Sequence, residues 1–220
     1  MKVSRSTFAN NTGQLSPSVV PSGPDSDTFF ASGGAIFNAG SLLLTNSTVY
    51  GNTVDGEGGA VFTGPHAVST VINCTVSDNA GVYSGGFDGA PTATLKLGNS
   101  IVAGNMDADS LFALSTDVSG PSTSLGHNLI GISAPSFWLA SDFVGTPAAP
   151  KNPQLGPLAN NGGPTETMSI AQFQGLAYND GSNALANQYG LTTDQRGQPR
   201  IQHGTVDIGA YEAAASIKLL

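Results

Sequence analysis

Short apolar strands punctuated by Gly and Asn recur along the first half of the chain at a nearly constant interval. A Gly pair opens a small apolar run three times, as Gly33, Gly34, Ala35, Ile36, Phe37, then Gly58, Gly59, Ala60, Val61, Phe62, then Gly85, Gly86, Phe87, at intervals of 25 and 27 residues. Between them runs a second motif, NSTVYGNT from Asn46, NCTVSDNA from Asn73 and NSIVAGNM from Asn99, at intervals of 27 and 26, with RSTFANNT from Arg5 as a degenerate first copy. Two motifs alternating at one period mark a repeat architecture. At about 3.3 Å per strand residue, one period traces roughly 85 Å, which suits one three-sided coil of a β-solenoid. The pieces are too short for helix-strand repeats. A leucine-rich repeat has a similar period but needs a spaced Leu ladder, and LLLTN at Leu42 to Asn46 is the only Leu-rich stretch.

These patterns predict an all-β fold, a right-handed parallel β-helix with an irregular C-terminal capping segment; the hand follows from the crossover rule for parallel strands. The coils are expected over residues 1–132, with a surface loop inserted at about 13–32, where SPSVVPSGPDSD is rich in Ser and Pro. Residues 133–220 are expected to pack on the last coil and cover its open edge, with Phe137, Trp138, Phe143 and the stretch from Pro147 to Pro157 supplying apolar bulk. Leu42, Leu44 and Val49, then Val71 and Val76, then Leu95, Leu97 and Val102, are expected to stack coil upon coil. Asn11, Asn52, Asn79 and Asn105 recur at one register and are expected to form an inward amide ladder rather than a catalytic set. The glycines Gly33, Gly58 and Gly85, each with its neighbour Gly34, Gly59 or Gly86, are expected to turn successive coils on a common axis.

Composition narrows the function. Charged residues are 10% of the chain, Gly fills 29 positions and the net charge is −8, so there is no basic footprint for nucleic acid. No run approaches the roughly 20 apolar residues of a membrane span, so membrane insertion is not expected. Cys74 is the single cysteine, which excludes an internal disulfide and reads as a small buried apolar residue. The triplets at Asn10, Asn46 and Asn73 fit the N-glycosylation pattern, but two of them coincide with the repeat.

The GGAI and GGAV openings, with FANN at Phe8 and its VYGN, VSDN and VAGN variants, resemble the repeats of polymorphic outer-membrane proteins, over roughly Val3 to Met106. GHNLIG at Gly126, NPQLGPLANNGGPTETMSI from Asn152, and TDQRGQPR from Thr193 leading to VDIGAYE at Val206 are similar to the end of proteins carrying a choice-of-anchor Q domain. FQGLAYNDGSN from Phe173 departs from that pattern. The resemblance implies a bacterial, exported, extracellular or cell-surface protein. Only AAASIKLL follows Glu212, too short for a sorting signal, so an anchor is expected to have been removed or never to have existed.

Candidate chemistry is sparse. In the closing segment Arg196 and Arg200 lie near Asp194, Asp207 and Glu212, and at least one Arg to carboxylate pair is expected to pin the C-terminal turn, with substrate binding by these arginines as the alternative. A lyase needs a cationic base, and Lys96 is the only cation from Phe8 to Ala149. The carboxylate pairs Asp25 with Asp27, Asp55 with Glu57, and Asp107 with Asp109 occupy loop-like contexts that need not share a face. They read as solvated turns, with a weak Ca²⁺ contact as the sharper alternative; no catalytic residue, metal site or cofactor is expected. His66, His127 and His203 are isolated. The expectation is a non-catalytic module for adhesion to a glycan or protein, or for self-association into homo-oligomers or filaments through an uncapped first coil. The alternative is a carbohydrate-active β-helix enzyme.

Overall fold

The computed structural model describes residues 1–14, 31–82, 84–107, 116–133, 138–171 and 175–214. The chain winds as a parallel β-solenoid. Each of the first four windings carries four short strand runs, not three, and every run pairs in parallel with its equivalents in the neighbouring windings. The first face stacks Lys2–Ser4, Ser41–Thr45, Val68–Ile72, Thr94–Gly98 and Ser122–Gly126. The second stacks Thr7–Ala9, Thr48–Tyr50, Thr75–Ser77, Ile101–Val102, Leu129–Ile130 and Phe143–Val144. The third stacks Thr12–Gly13, Thr53–Glu57, Ala80–Val82 and Met106–Asp107. The fourth, formed by the residues after each Gly pair, stacks Ile36–Asn38, Val61–Thr63, Ser84–Gly89 and Thr116–Val118. Of the expected insertion, Gly13 belongs to a strand, and residues 15–30 lie outside the described residues.

On the first two faces the alternation turns apolar side chains inward, and the period stacks each on its like. Leu44, Val71 and Leu97 are in register on the first face, and Phe8, Val49, Val76, Val102, Ile130 and Val144 on the second. With Leu42, Leu95, Ile36, Val61 and Phe87 they make one continuous core. The corners between the first two faces carry left-handed residues in every winding, Arg5, Asn46, Asn73, Asn99 and His127, with φ from 45° to 56°. Asparagine tolerates that conformation better than most residues, which explains why it recurs there.

Gly33 and Gly58 also have positive φ, 78° and 69°, and occupy one register, since Gly33 N donates to Glu57 O. Gly85 does not continue their column. Gly59 N donates to Ser84 O, which sets Gly85 over Gly59 and Ser84 over Gly58. The Gly34, Gly59 and Gly85 column needs glycine for a different reason: a Cβ on Gly34 or Gly59 would strike the carbonyl oxygen of the glycine in the next winding.

The C-terminal segment closes the last winding and then does more. Phe143–Val144 pairs with Leu129–Ile130, and Trp138 and Val144 pack on the exposed end of the core. Phe137 lies outside the described residues. Beyond this lid, the chain runs back along the side of the solenoid as a strap over the outer positions of the second face. Thr7, Thr48, Thr75, Ile101, Leu129 and Phe143 form that outer column. Ile101 and Leu129 pack against Ile170, Ala177, Ile208 and Ala213. Ile72 packs against Ala186, Leu191 and Val206. Where the column is polar, the strap is polar too: Gln195 accepts from Thr48 at 2.7 Å and donates to Thr7 at 2.9 Å, and Ala210 N donates to Thr75 Oγ1 at 3.0 Å. The helix Asn183–Gln188 sits in this strap, its first turn capped by Ser182.

Candidate functional site

Most polar groups that carry candidate chemistry are committed to the fold. Asn11, Asn52, Asn79 and Asn105 form a ladder inside the solenoid, each Nδ2 donating to Oδ1 of the next at 2.7, 2.8 and 2.8 Å. Each Oδ1 also takes the backbone N–H of the preceding asparagine. The spare Nδ2 hydrogens reach main-chain carbonyls, as from Asn79 to Val49 and Ser77, both 3.0 Å. The ladder is polar: every side chain donates toward the last winding. It ends on Asp117, whose Oδ1 accepts from Asn105 N and Nδ2, both 2.8 Å, while Oδ2 accepts from Ile132 N at 2.7 Å. A carboxylate suits that end because it accepts twice and donates nothing.

A second ladder follows the same rule. At the corner after the first face, Ser6 N donates to Ser47 Oγ, Cys74 N to Ser100 Oγ and Ser100 N to Asn128 Oδ1. It too ends on an aspartate, Asp142, which accepts from Asn128 N at 2.8 Å and Nδ2 at 3.0 Å. Cys74 lies in this row, and burial pushes its thiol up to about 12, which makes it inert.

The strap gathers Asp194, Arg196, Arg200, Asp207 and Glu212, four of them essentially inaccessible and Arg196 with its side chain 7% exposed. Arg196 makes the expected pair with Asp194, 2.7 Å from Nη2 and 2.9 Å from Nε, and lies 3.6 Å over the ring of Tyr211. Arg200 does not make a direct carboxylate pair: its Nη2 donates to the carbonyls of Asp207 and Gly209. A guanidinium can only donate, so the Asn73 amide is oriented with its oxygen toward Arg200, where it accepts from Nε at 3.2 Å. Asp207 accepts from Asn179 N and Ala213 N at 2.7 and 2.6 Å. Burial, then the neighbouring Asp207, pushes Glu212 up to about 8.

Because that value lies above the 4.5 of an unfolded glutamate, Glu212 supports folding fully below pH 4.5, and this support is lost as pH rises through about 8. Stability is therefore expected to fall between pH 6 and pH 9, by on the order of 3 kcal/mol. Glu212→Gln should flatten that fall in urea titrations run at the two pH values, and an unchanged pH dependence would count against it.

The remaining sequence candidates disperse. Asn46 and Asn73 are buried, so their glycosylation triplets are not accessible in the folded chain. His127 Nδ1 contacts Asp180 O at 2.7 Å, and the His203 ring lies 5.5 Å from that of Tyr178, tilted by 55°. Among the described residues no group of three His, Cys, Asp or Glu could hold a metal ion. Asp25, Asp27 and Asp109 fall outside those residues. Sequence reasoning missed Asp88, held near 6 by burial and by nearby Glu57, and the pair of stacked rings Phe37 and Phe62 beside it on the fourth face, with centroids 5.7 Å apart.

It also missed a groove of about 400 Å³ where the lid meets the coils. Asp78 and Asp117 line it from the solenoid, and Lys151, Asn152, Leu155 and Met168 from the C-terminal segment. Asp78 occupies a left-handed corner with φ 57°, and burial raises its carboxyl while a hydrogen bond from the Tyr50 hydroxyl opposes the rise. Asp117 is pushed up to about 6 by burial, against the N–H groups of Asn105 and Ile132. No protein-family model and no curated protein matches the sequence.

Proposed function

We propose that this chain is a non-catalytic, exported surface module, a β-solenoid that presents its side faces and groove to a glycan or protein. The observation that carries this reading is the use made of the buried acids. Asp117, Asp194 and Asp207 each accept from at least two N–H groups, so they act as fixed acceptors that hold turns together rather than as acids and bases free to exchange protons with a substrate. The outer row Lys2, Leu43, Thr70, Lys96 and Thr123 on the first face gives a solvent-facing surface with two ammonium groups and no carboxylate, of the kind a surface module offers. The resemblance to polymorphic outer-membrane repeats and to choice-of-anchor Q ends supports an extracellular or cell-surface location.

A carbohydrate-active reading keeps one specific support, the presence of both Asp78 and Asp117 on one groove. A hydrolase needs two carboxyl groups available on opposite sides of the scissile bond, and the commitment of Asp117 to Asn105 and Ile132 leaves Asp78 as the available one. A screen of acidic and neutral polysaccharides for cleavage, run beside a glycan-binding array, tests the choice. Binding without cleavage is expected; turnover abolished by Asp78→Asn would overturn the non-catalytic reading.

A further inference from the structure

We infer that the first face binds an acidic sugar chain, a uronate polymer laid along the solenoid axis with carboxylates on the Lys2 and Lys96 ammonium groups and rings over Leu43 and Thr70. This deepens the surface-module reading and rests on it for the choice of a side face as the ligand surface. With Leu42, Ser69 and Leu95 turned inward, the face shows two outer columns, Lys2, Leu43, Thr70, Lys96 and Thr123 in one and Ser41, Val68 and Thr94 in the other. Neither column holds a carboxylate, in a chain with 15 Asp plus Glu and seven Lys plus Arg. Asp55 and Glu57 stand on the third face and Asp88 on the fourth. Asp142, at the last winding, is taken up by Ser124, Asn128 and Leu139. Salt screens exposed charges beyond about 8 Å, so a ligand on this face meets its positive surplus rather than the net charge of −8.

Charge selects an anion, and spacing and relief select a sugar chain. Lys2 and Lys96 are related through Leu43 and Thr70 across three winding steps. With strands stacked about 4.8 Å apart, the two lysines stand roughly 14 Å from each other. A 1,4-linked pyranose chain advances by nearly one strand spacing per ring, so the first and fourth rings of a tetramer meet the lysines and the two between them lie on Leu43 and Thr70. There the face is hollowed by about 320 Å³, with Met1 and Tyr189 also lining the hollow. A second hollow, of about 460 Å³, lies beside Thr94 and Thr123 toward the other end of the face. Leu43 and Val68 suit the apolar faces of the rings, and Thr70 and Thr94 offer hydroxyls to theirs. An acidic peptide laid the same way finds no main-chain partners, because Ser41–Thr45, Val68–Ile72 and Thr94–Gly98 are each paired on both sides. A neutral glycan leaves both ammonium groups without a counter-charge.

Calorimetric titration of the full chain with tetramannuronate, dimannuronate, neutral mannotetraose and tetraglutamate tests the site. Tetramannuronate is expected to bind at least about tenfold tighter than each of the other three, the dimer being too short to reach both lysines. About 1 M NaCl, which screens charges beyond about 3 Å, should remove most of that preference. Lys2→Glu and Lys96→Glu should each weaken tetramannuronate at least about tenfold, while Lys151→Glu, which reverses an exposed cation on the C-terminal segment, should leave it unchanged. The length and salt dependence of the unaltered chain keep the test open should a variant fold poorly. Equal affinity for the charged and neutral tetramers, equal affinity for tetramer and dimer, or as large a loss from Lys151→Glu as from Lys96→Glu would overturn the assignment. Tetraglutamate binding as tightly as tetramannuronate would overturn the sugar half of it. No binding of either mannuronate, with a neutral glycan captured on the array, would remove this site and leave the surface-module reading standing. Cleavage of the bound tetramer would sink the non-catalytic reading while leaving the first face as the site.

Discussion

Asn79→Ala is expected to destabilise the protein by about 4 kcal/mol, near the upper limit for a point substitution. Asn79 sits in the middle of the ladder with no exposed surface. Its Nδ2 serves Asn105 Oδ1 and two main-chain carbonyls, and its Oδ1 takes both the N–H and the Nδ2 of Asn52. Removing it strands donors on one side and acceptors on the other, at about 1–3 kcal/mol for each buried group left without a partner. Asn79→Asp should be no milder: it still accepts from Asn52 but sets a carboxylate against Asn105 Oδ1 and the carbonyls of Val49 and Ser77. Asn11→Ala, at the exposed first winding, should cost no more than about 1 kcal/mol. Chemical denaturation of the three variants checks the order.

Asp194→Ala is expected to release the strap, at a cost of about 3–5 kcal/mol. Asp194 is fully buried and accepts from Arg196 N and Gln198 N on one oxygen and from Arg196 Nε, Arg196 Nη2 and Glu212 N on the other. Without it the Arg196 guanidinium keeps the Glu212 carbonyl and the Tyr211 ring but loses its counter-charge. The coils have their own core and ladders, so the effect should be local. Limited proteolysis should cut the variant first within residues 160–214 while the coil fragment persists. Simultaneous digestion of coils and strap would show that they do not separate.

The coils were legible because a solenoid repeats its environment every winding, so like residues reappear at a constant spacing. Asn52, Asn79 and Asn105 gave the ladder for that reason. Its terminus did not show, because Asp117 is only 12 residues beyond Asn105 and reaches, from within the same winding, the place a further asparagine would hold. Non-periodic chain ends periodic structure, and period analysis is blind to it. The same limit hid the groove, which forms only where the lid returns to the coils.

The strap left a signal that a one-sided strand would not. Ser-Ile-Val at Ser100 to Val102 and Asn-Leu-Ile at Asn128 to Ile130 put apolar residues on both faces, which a strand does when it is covered on both sides. The clustering of Asp194, Arg196, Arg200, Asp207 and Glu212 followed from the scarcity of charge. Their pairing did not, since Arg200 finds carbonyls and the Asn73 amide in a buried site instead of a carboxylate. The one-residue offset of Gly85 has a similar origin: the intervals of 25 and 27 between Gly pairs differ from the 25 and 26 that relate Ile36, Val61 and Phe87 in the paired strands.

Polar ladders threading the stacked windings hold the solenoid together, and hydrogen exchange at the side-chain amides measures that most directly. The Nδ2 protons of Asn52, Asn79 and Asn105 should exchange as slowly as the backbone amides of Val49 and Val76 in the core strands. Exchange of those three side chains at the rate of a free asparagine, with the core amides still protected, would contradict it.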